Sequence, residues 1–144
     1  MNLLAKYAIK LHQLNSEWLG FIPGSRIKEY AEHDQIIAEY ENGELCGYLI
    51  YGIGWPYLRV YQACVEEDIR FLGHGENLVS KANAVAEKNR CGAILLGCRK
   101  TNKSLLFWSA LGFRTIGERP GGKRRGIPIA VMSKPVNGQG KLFK

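Results

Sequence analysis

The sequence Arg70-Phe71-Leu72-Gly73-His74-Gly75 decides the fold of this chain. An apolar run, Tyr57 to Val65, comes before it, and a helical pattern, Glu76 to Arg90, follows it. A second apolar run extends from Ala93 to Cys98. The predicted order is therefore strand, glycine turn, helix and strand. Such a turn aims several backbone N–H groups at one point, near the positive end of a helix dipole, which suits a phosphate group.

Two helices are predicted ahead of this segment. Leucine, tyrosine and alanine residues recur at helical spacing within residues 2–19. Ser25 is expected to cap a second helix, Arg26 to Glu32, because its hydroxyl can accept a hydrogen bond from a backbone N–H of the first turn. We expect these helices, within residues 1–33, to form a lid or flank of the fold rather than part of its core.

A β-hairpin is predicted after the two helices. Asn42-Gly43 favours a type I′ turn, because both residue types tolerate a positive φ. Strands are predicted on either side of it, at Gln35–Tyr40 and Leu45–Ile53, and the second is rich in β-branched and aromatic residues. The sheet is therefore expected to begin with an antiparallel pair.

Glycines and one proline mark the ends of the later elements. Gly92 is expected to end the central helix as a C-cap glycine, and Gly112 to end a helix at Lys103–Leu111. Pro128 indicates an edge strand or a strand start, since proline has no N–H for the ladder. The last two strands are predicted at Phe113–Gly117 and Ile127–Ser133. These elements indicate an α/β sheet with helices on both faces.

Length and composition indicate one globular domain. The chain has 144 residues, a mass of 16.2 kDa and a hydrophobic fraction of 46%. We expect a single domain over residues 1–134 and a flexible basic tail over residues 135–144. No apolar run approaches the roughly 20 residues that span a bilayer, and the N-terminus lacks the pattern of a signal peptide. The expected location is the cytoplasm, with no membrane partner.

The cysteines and histidines form no metal-binding pattern. Three of the four cysteines lie in apolar runs, as buried reduced thiols of a cytosolic protein do. The three histidines are scattered, so no metal is expected. The net charge of +7 favours an anionic partner, such as a nucleotide-bearing cofactor, an acidic substrate or a nucleic acid.

Three motifs of the chain resemble the GNAT superfamily of acyl-CoA-dependent N-acetyltransferases. The glycine turn matches the signature Arg/Gln-x-x-Gly-x-Gly/Ala, and Asn102 with Leu111-Gly112-Phe113 matches a second signature. Cys46-Gly47-Tyr48 is similar to part of the family's third strand. The resemblance covers roughly Gln35 to Ser133. A Rossmann fold fits worse, because Leu78 stands where its third glycine would be.

The resemblance implies a fold and a cofactor. The fold is a mixed, mostly antiparallel sheet with a central parallel strand pair splayed at the cofactor, and with helices on both faces. The cofactor is acetyl-CoA or coenzyme A, with its pyrophosphate on the amides of the glycine turn and its pantetheine arm along the preceding strand. The implied cofactor-binding residues are Ala63, Cys64, Val65, Arg70, Phe71, Leu72, Gly73, His74, Gly75, Glu76, Asn102 and Ser104. A backbone N–H of Cys64 or Val65 would polarise the thioester carbonyl.

Acyl transfer to an amine also requires a group that takes a proton from the amine. Glu66, Glu67 and Tyr61 are the candidates, with solvated carboxylates and a packed tyrosine as the alternatives. Many family members carry a tyrosine, which protonates the leaving thiolate, where this chain has Trp108. Indole is not an acid at neutral pH, so another group or water would supply that proton. An acyl-enzyme on Cys98 is less expected, because the family transfers the acyl group directly.

A basic segment is the clearest indication of the acceptor. We expect an anionic part of the acceptor to bind Arg99, Arg119, Lys123, Arg124 and Arg125, and the alternative for Lys123, Arg124 and Arg125 is a solvated, flexible loop. The leading hypothesis is transfer of an acetyl or short acyl group to an amine, on a small molecule or a macromolecule. The alternatives are Mom-type modification of a nucleic-acid base, which would make nucleic acid a partner, and a non-catalytic CoA-binding module. An oligomer is compatible with the sequence.

Overall fold

The computed structural model describes residues 3–14, 22–65, 73–99, 104–121 and 128–136. Ten helices and strands are assigned among these residues. In chain order they are α1 Leu3–Leu14, α2 Gly24–Glu32, β1 Ile36–Glu41, β2 Glu44–Gly54, β3 Tyr57–Val65, α3 His74–Lys88, β4 Ala93–Arg99, α4 Ser104–Ala110, β5 Arg114–Arg119 and β6 Ile129–Pro135. Every predicted element is present within this described part, with ends shifted by a few residues.

The strands form a mixed sheet in the order β1-β2-β3-β4-β6-β5. Strands β3 and β4 pair in parallel, from Tyr57 opposite Ala93 to Val60 opposite Leu96. Strand β6 pairs antiparallel with both β4 and β5. The predicted α/β class, with a central parallel pair in a mostly antiparallel sheet, is confirmed.

By its internal contacts the chain divides into two compact units. The first is Met1–Gly52 with Tyr61–Ala82, and the second is Ile53–Val60 with Asn83–Lys144. The expected single domain over residues 1–134 stays a prediction. Within the second unit, β6 extends to Pro135, and Val136 is buried with its N–H bonded to the carbonyl of Gly92. The predicted tail lies otherwise outside the described residues.

The first unit packs α1 and α2 against β2 and β3. Its buried cluster consists of Ala8, Leu11, Ile27, Tyr48, Ile50 and Cys64. Fully burying a side chain such as leucine or isoleucine contributes about 1.5–3 kcal/mol. The helices of the predicted flank therefore supply part of the core of this unit.

A polar network is buried in the same unit. The hydroxyl of Tyr48 donates to Oε1 of Gln62 over 2.7 Å. The N–H of Ile22 donates to Nε2 of His12, so the proton of the neutral ring lies on Nδ1, which donates to the same Gln62 oxygen over 3.1 Å. Burial raises the pKa of Tyr48, so its phenol stays protonated. These partners satisfy polar groups that would be costly to bury alone.

In the second unit, the end of α4 forms a Schellman motif. Gly112 has φ +97°, and its N–H bonds the carbonyl of Ser109, while the N–H of Phe113 bonds that of Trp108. The predicted helix end at Gly112 is confirmed. The ring of Trp108 packs edge-on against Phe113, with 5.3 Å between ring centroids.

Two predicted local features, the cap at Ser25 and the helix end at Gly92, are wrong in detail. Ser25 lies inside α2, which has Pro23 at its N-cap with no side-chain cap. Arg90, not Gly92, takes the left-handed conformation that ends α3, with φ +58°. The N–H groups of Arg90 and Cys91 close a Schellman motif there, so the turn forms before the chain reaches the glycine. Pro128 directly precedes β6, which begins at Ile129 and lies between β4 and β5, so of the two predicted alternatives the strand start is confirmed and the edge strand is not.

No helix in the described part of the chain is long and apolar enough to cross a membrane. The cytoplasmic location stays a prediction.

Candidate cofactor-binding site

The glycine turn leads directly into a long helix. Gly73 has φ +83°, and α3 begins at the next residue and runs for 15 residues. The carbonyl of Gly73 accepts the N–H of Asn77 over 3.0 Å, so the turn is continuous with the helix. A Cβ at Gly73 would meet no described atom within 4 Å. Among the described residues nothing therefore blocks the approach of a ligand to this backbone, and the first N–H groups of a helix have no partners within it. These features fit a pyrophosphate.

The side chain of His74 is held on β1. Its Nδ1 lies 2.9 Å from Oε1 of Glu39, and its Nε2 lies 2.7 Å from Oε2 of Glu41. An ionised carboxylate only accepts hydrogen bonds, so both ring nitrogens must carry hydrogen. His74 is therefore an imidazolium in this arrangement. Its side chain faces β1, so only its backbone amide remains for the cofactor role expected of it.

Glu39 is the centre of this cluster. Nδ2 of Asn77 donates to its Oε1 over 3.0 Å, and the ammonium of Lys81 binds its Oε2. Only 6% of the residue is exposed, and burial by itself raises its pKa. The hydrogen bonds from His74 and its other partners outweigh burial and lower the pKa of Glu39 to about 2.

The same contacts raise the pKa of His74. The hydrogen bond to Glu39 is the largest cause, burial opposes it, and the hydrogen bond to Glu41 adds to it. The charged form of His74 is thus favoured on both sides of the ring. Lys81 also donates to the carbonyl of Ala38 over 3.0 Å, which ties α3 to the backbone of β1.

A β-bulge positions Glu39. Between Glu39 and Tyr40 the register shifts, because Glu39 pairs with Gly47 and Tyr40 pairs with Leu45. The extra residue is Cys46, whose thiol lies 3.4 Å from the carbonyl of Glu39 and donates to it. Bulges bend a strand and re-aim its side chains. Here the bulge lies beside the residue that binds the start of α3.

A signal for this cluster is present in the sequence, although we did not predict the cluster. Glu39 and Glu41 are two apart on a strand, so they share a face. His74, Asn77 and Lys81 have the spacing i, i+3 and i+7, so they share a stripe of α3. Only the fold shows that the acidic face and this stripe meet.

The end of β3 lies in the same unit as the glycine turn. Ala63 is partly buried and Cys64 is buried, and Val65 is the last residue of the strand. Tyr61 is half exposed, and its ring centroid lies 5.7 Å from that of Tyr30 on α2. A Cβ at Gly52 would collide with the Tyr61 hydroxyl, so this glycine provides the space for it.

Two of the predicted acceptor-binding arginines lie on the same face of the sheet in the second unit. Arg99 on β4 and Arg119 on β5 both pair with Ile129 on β6, so all three share one face of the sheet. A Cβ at Gly97 would lie 2.6 Å from the guanidinium of Arg119. The side chain of Arg119 therefore crosses over β6 to lie against Gly97.

A model of the acetyltransferase (GNAT) family matches residues 3–113 of the sequence. The chain belongs to this family. It is an acyl-CoA-dependent N-acetyltransferase, and its cofactor is acetyl-CoA or coenzyme A. A search of curated proteins finds no match.

Solved structures of several acetyltransferases share the fold. Ard1 from Thermoplasma volcanium superposes with a TM-score of 0.80 at 14% identity, over 92% of this chain and 93% of that one. An aminoglycoside 6'-N-acetyltransferase complexed with coenzyme A superposes with a TM-score of 0.78 at 18% identity, over 94% of this chain and 92% of that one. The ribosomal-protein-S18-alanine N-acetyltransferase from Escherichia coli superposes with a TM-score of 0.68 at 19% identity, over 93% of this chain and 87% of that one. These similarities show the fold of the acetyltransferase.

Several predicted site residues of the acetyltransferase lie outside the described residues. They are Glu66, Glu67, Arg70, Phe71, Leu72, Asn102, Lys123, Arg124 and Arg125. Ser104 begins α4, and Glu76 is exposed in the first turn of α3. The structure therefore brings together Gly73, His74, Gly75 and Glu76 at one helix start. Within the described ranges, no group of three His, Cys, Asp or Glu residues could hold a metal ion.

Trp108 belongs to the packing of the acetyltransferase. The residue is 8% exposed, and its ring lies between those of Phe107 and Phe113, at 5.0 and 5.3 Å. Such edge-on pairs add about 0.5–1.5 kcal/mol beyond buried area. The indole is therefore part of the aromatic packing around the end of α4.

Proposed function

We propose that this acetyltransferase transfers an acetyl or short acyl group from acyl-CoA to an amine by direct attack, without an acyl-enzyme. One observation carries the placement of the cofactor: Gly73 has a left-handed conformation at the start of α3, with no described atom within 4 Å of the position of a Cβ. The amides of Gly73 to Glu76 would hold the pyrophosphate. When bound, acetyl-CoA supplies the acyl group as a thioester.

The residues of β3 would orient the reacting groups. The backbone of Ala63, Cys64 and Val65 would bind the pantetheine arm, and a backbone N–H of Cys64 or Val65 would polarise the thioester carbonyl. The attacking amine must lose a proton. Of the candidates Tyr61, Glu66 and Glu67, Tyr61 lies in the described part, half exposed on β3. Its hydroxyl would relay that proton, accepting it on the oxygen while its own O–H proton passes to water.

Calorimetry with acetyl-CoA tests the cofactor proposal, and release of free thiol with a panel of amines tests the transfer. Binding together with amine-dependent thiol release supports the enzyme. Binding without thiol release from any amine would favour the non-catalytic module, for which the packed Trp108 is the motivating feature. Absence of binding at sub-millimolar acetyl-CoA would refute both.

The arginine pair motivates a second candidate, with a nucleic-acid base as acceptor. Arg99 and Arg119 place two cations on one face of the sheet, and the chain has a net charge of +7. Retention on DNA or RNA should then fall steeply with salt, and replacing both arginines with alanine should reduce the salt slope by about two. Unchanged retention in this double variant would exclude the pair from the acceptor site. The cofactor proposal does not depend on this outcome.

A further inference from the structure

The charged side chain of His74 has no role in the proposed acyl transfer, yet it lies at the start of α3. His74 is the first residue of α3 and follows Gly73, so its backbone is part of the proposed cradle. Its imidazole is bound by the carboxylates of Glu39 and Glu41 on β1. The ring therefore connects the two carboxylates on β1 to the first residue of α3.

The groups around His74 are balanced in charge. Two carboxylates face it from β1, those of Glu39 and Glu41, and the ammonium of Lys81 on α3 binds Glu39. With His74 charged, two cations meet two anions. With His74 neutral, one net negative charge remains beside the site proposed for the cofactor phosphates, where it opposes their binding.

Loss of the proton also breaks a contact. A neutral imidazole has a single N–H, so one of its nitrogens would turn a lone pair toward a carboxylate oxygen now 2.7 or 2.9 Å away. That arrangement is repulsive. Loss of the proton therefore weakens the link between β1 and the first residue of α3.

We propose that His74 is a positioning residue for the cofactor: as an imidazolium held by Glu39 and Glu41 it fixes the start of α3 and neutralises β1, and coenzyme A binds less tightly once that proton is lost. The proposal rests on the proposed placement of the pyrophosphate. The raised pKa of His74, caused first by its hydrogen bond to Glu39, puts this loss of affinity above the ordinary titration range of histidine.

The test is the affinity for coenzyme A as a function of pH, measured by calorimetry between about pH 6 and 9. The reference is His74→Gln, which keeps a hydrogen-bonding side chain but cannot carry the charge. Coenzyme A titrates as well, since phosphate esters have a pKa near 6. That titration is common to both proteins, so the ratio of their dissociation constants isolates His74.

We expect His74→Gln to bind about fivefold or more weakly at neutral pH, the usual scale of coupling between two sites. The difference should vanish at high pH. A pH-independent ratio would overturn the proposal while leaving the cofactor site intact. Absence of binding by the unmodified protein at every pH would instead refute the site itself.

Two variants separate charge from packing. Glu41 is the more exposed partner, at 41% of its side chain, so Glu41→Gln should fold normally. It removes one of the two anions that hold the proton, so the loss of affinity should move to lower pH. His74→Gln with Glu41→Gln restores the charge balance, and it should recover most of the affinity at neutral pH. No shift in the first variant and no recovery in the second would show that His74 acts through packing alone.

Discussion

Nε2 of His74 and Oε2 of Glu41 lie 2.7 Å apart, yet the two side chains meet solvent very differently: 8% of the histidine side chain is exposed and 41% of the glutamate. The deeper contact of the ring, to Glu39, is buried on both sides. A charged cluster of this kind depends on the protonation state of each member. Stability should therefore report on it independently of any ligand.

The cluster predicts a window of pH in which the protein is most stable. Glu39 has its pKa lowered from 4.5 to about 2, so its contribution is complete above about pH 4.5 and is lost as the pH falls toward 2. His74 has its pKa raised from 6.5, so its contribution is complete below about pH 6.5 and is lost as the pH rises through the raised value. The free energy of unfolding should be greatest between these limits.

Urea unfolding at about pH 3, 6 and 9 measures how the free energy of unfolding depends on pH. The same measurement on Glu39→Gln, which removes the central carboxylate, provides the comparison. We expect this substitution to cost about 3 kcal/mol near pH 6, because it leaves His74 and Lys81 without their shared partner. The cost should shrink toward both ends of the pH range. A cost that is the same at all three pH values would contradict the charged state assigned to the cluster.

Gly73 should be sensitive to charge as well as to conformation. Its φ of +83° disfavours side chains, but asparagine and aspartate are the best tolerated there. Gly73→Asn and Gly73→Asp are nearly equal in shape, and only the second adds a carboxylate at the proposed pyrophosphate site. We expect Gly73→Asp to bind coenzyme A about tenfold or more weakly than Gly73→Asn, measured by calorimetry. Equal affinities would place the pyrophosphate elsewhere.

Tyr61 and Gly52 should act as a coupled pair. A Cβ at Gly52 cannot coexist with the present position of the Tyr61 hydroxyl. If that hydroxyl relays the proton of the amine to water, Tyr61→Phe should lower kcat by about 100-fold or more. Gly52→Ala should lower kcat through the same displacement, and it should add little in the Tyr61→Phe background. Near-normal kcat in Tyr61→Phe would leave Tyr61 as a packing residue.

Trp108 should matter for stability more than for chemistry. Trp108→Ala removes a buried ring packed against two others, so we expect a loss of about 3–5 kcal/mol in the free energy of unfolding. Trp108→Phe keeps an aromatic ring without the indole N–H, and kcat should stay within about twofold of normal. A large fall in kcat with intact stability would show that the indole takes part in the reaction.

The sequence predicted the order of elements because their signals are local. Asn42 and Gly43 both have positive φ, as the hairpin turn requires, and the apolar stripe of α3 is buried at Leu78, Val79, Ala82 and Ala86. Gly112 ends α4 as expected. Each of these follows from residues within a few positions of one another, where backbone sterics and periodicity decide the outcome.

What the sequence did not predict depends on distant residues. The helix end at Arg90 is one case, since its carbonyl accepts the indole N–H of Trp55 over 3.2 Å, far away in the chain. The partners of His74 are another, because β1 and α3 are brought together by the fold and a bulge at Glu39. The acidic residues had no assigned role in the sequence. Glu39 and Glu41 acquire a role only because the fold places them against His74 and Lys81 of α3.

The place of β6 has a consequence for biosynthesis. Strand β5 pairs with β6, and β6 fills the position between β5 and β4, although it is made after both of them. Until residues 129–135 have been made, β5 and one edge of β4 lack the strand that pairs with them in the folded protein. Unpaired strand edges attract other chains. A nascent chain that lacks this strand therefore exposes strand edges that the folded protein pairs.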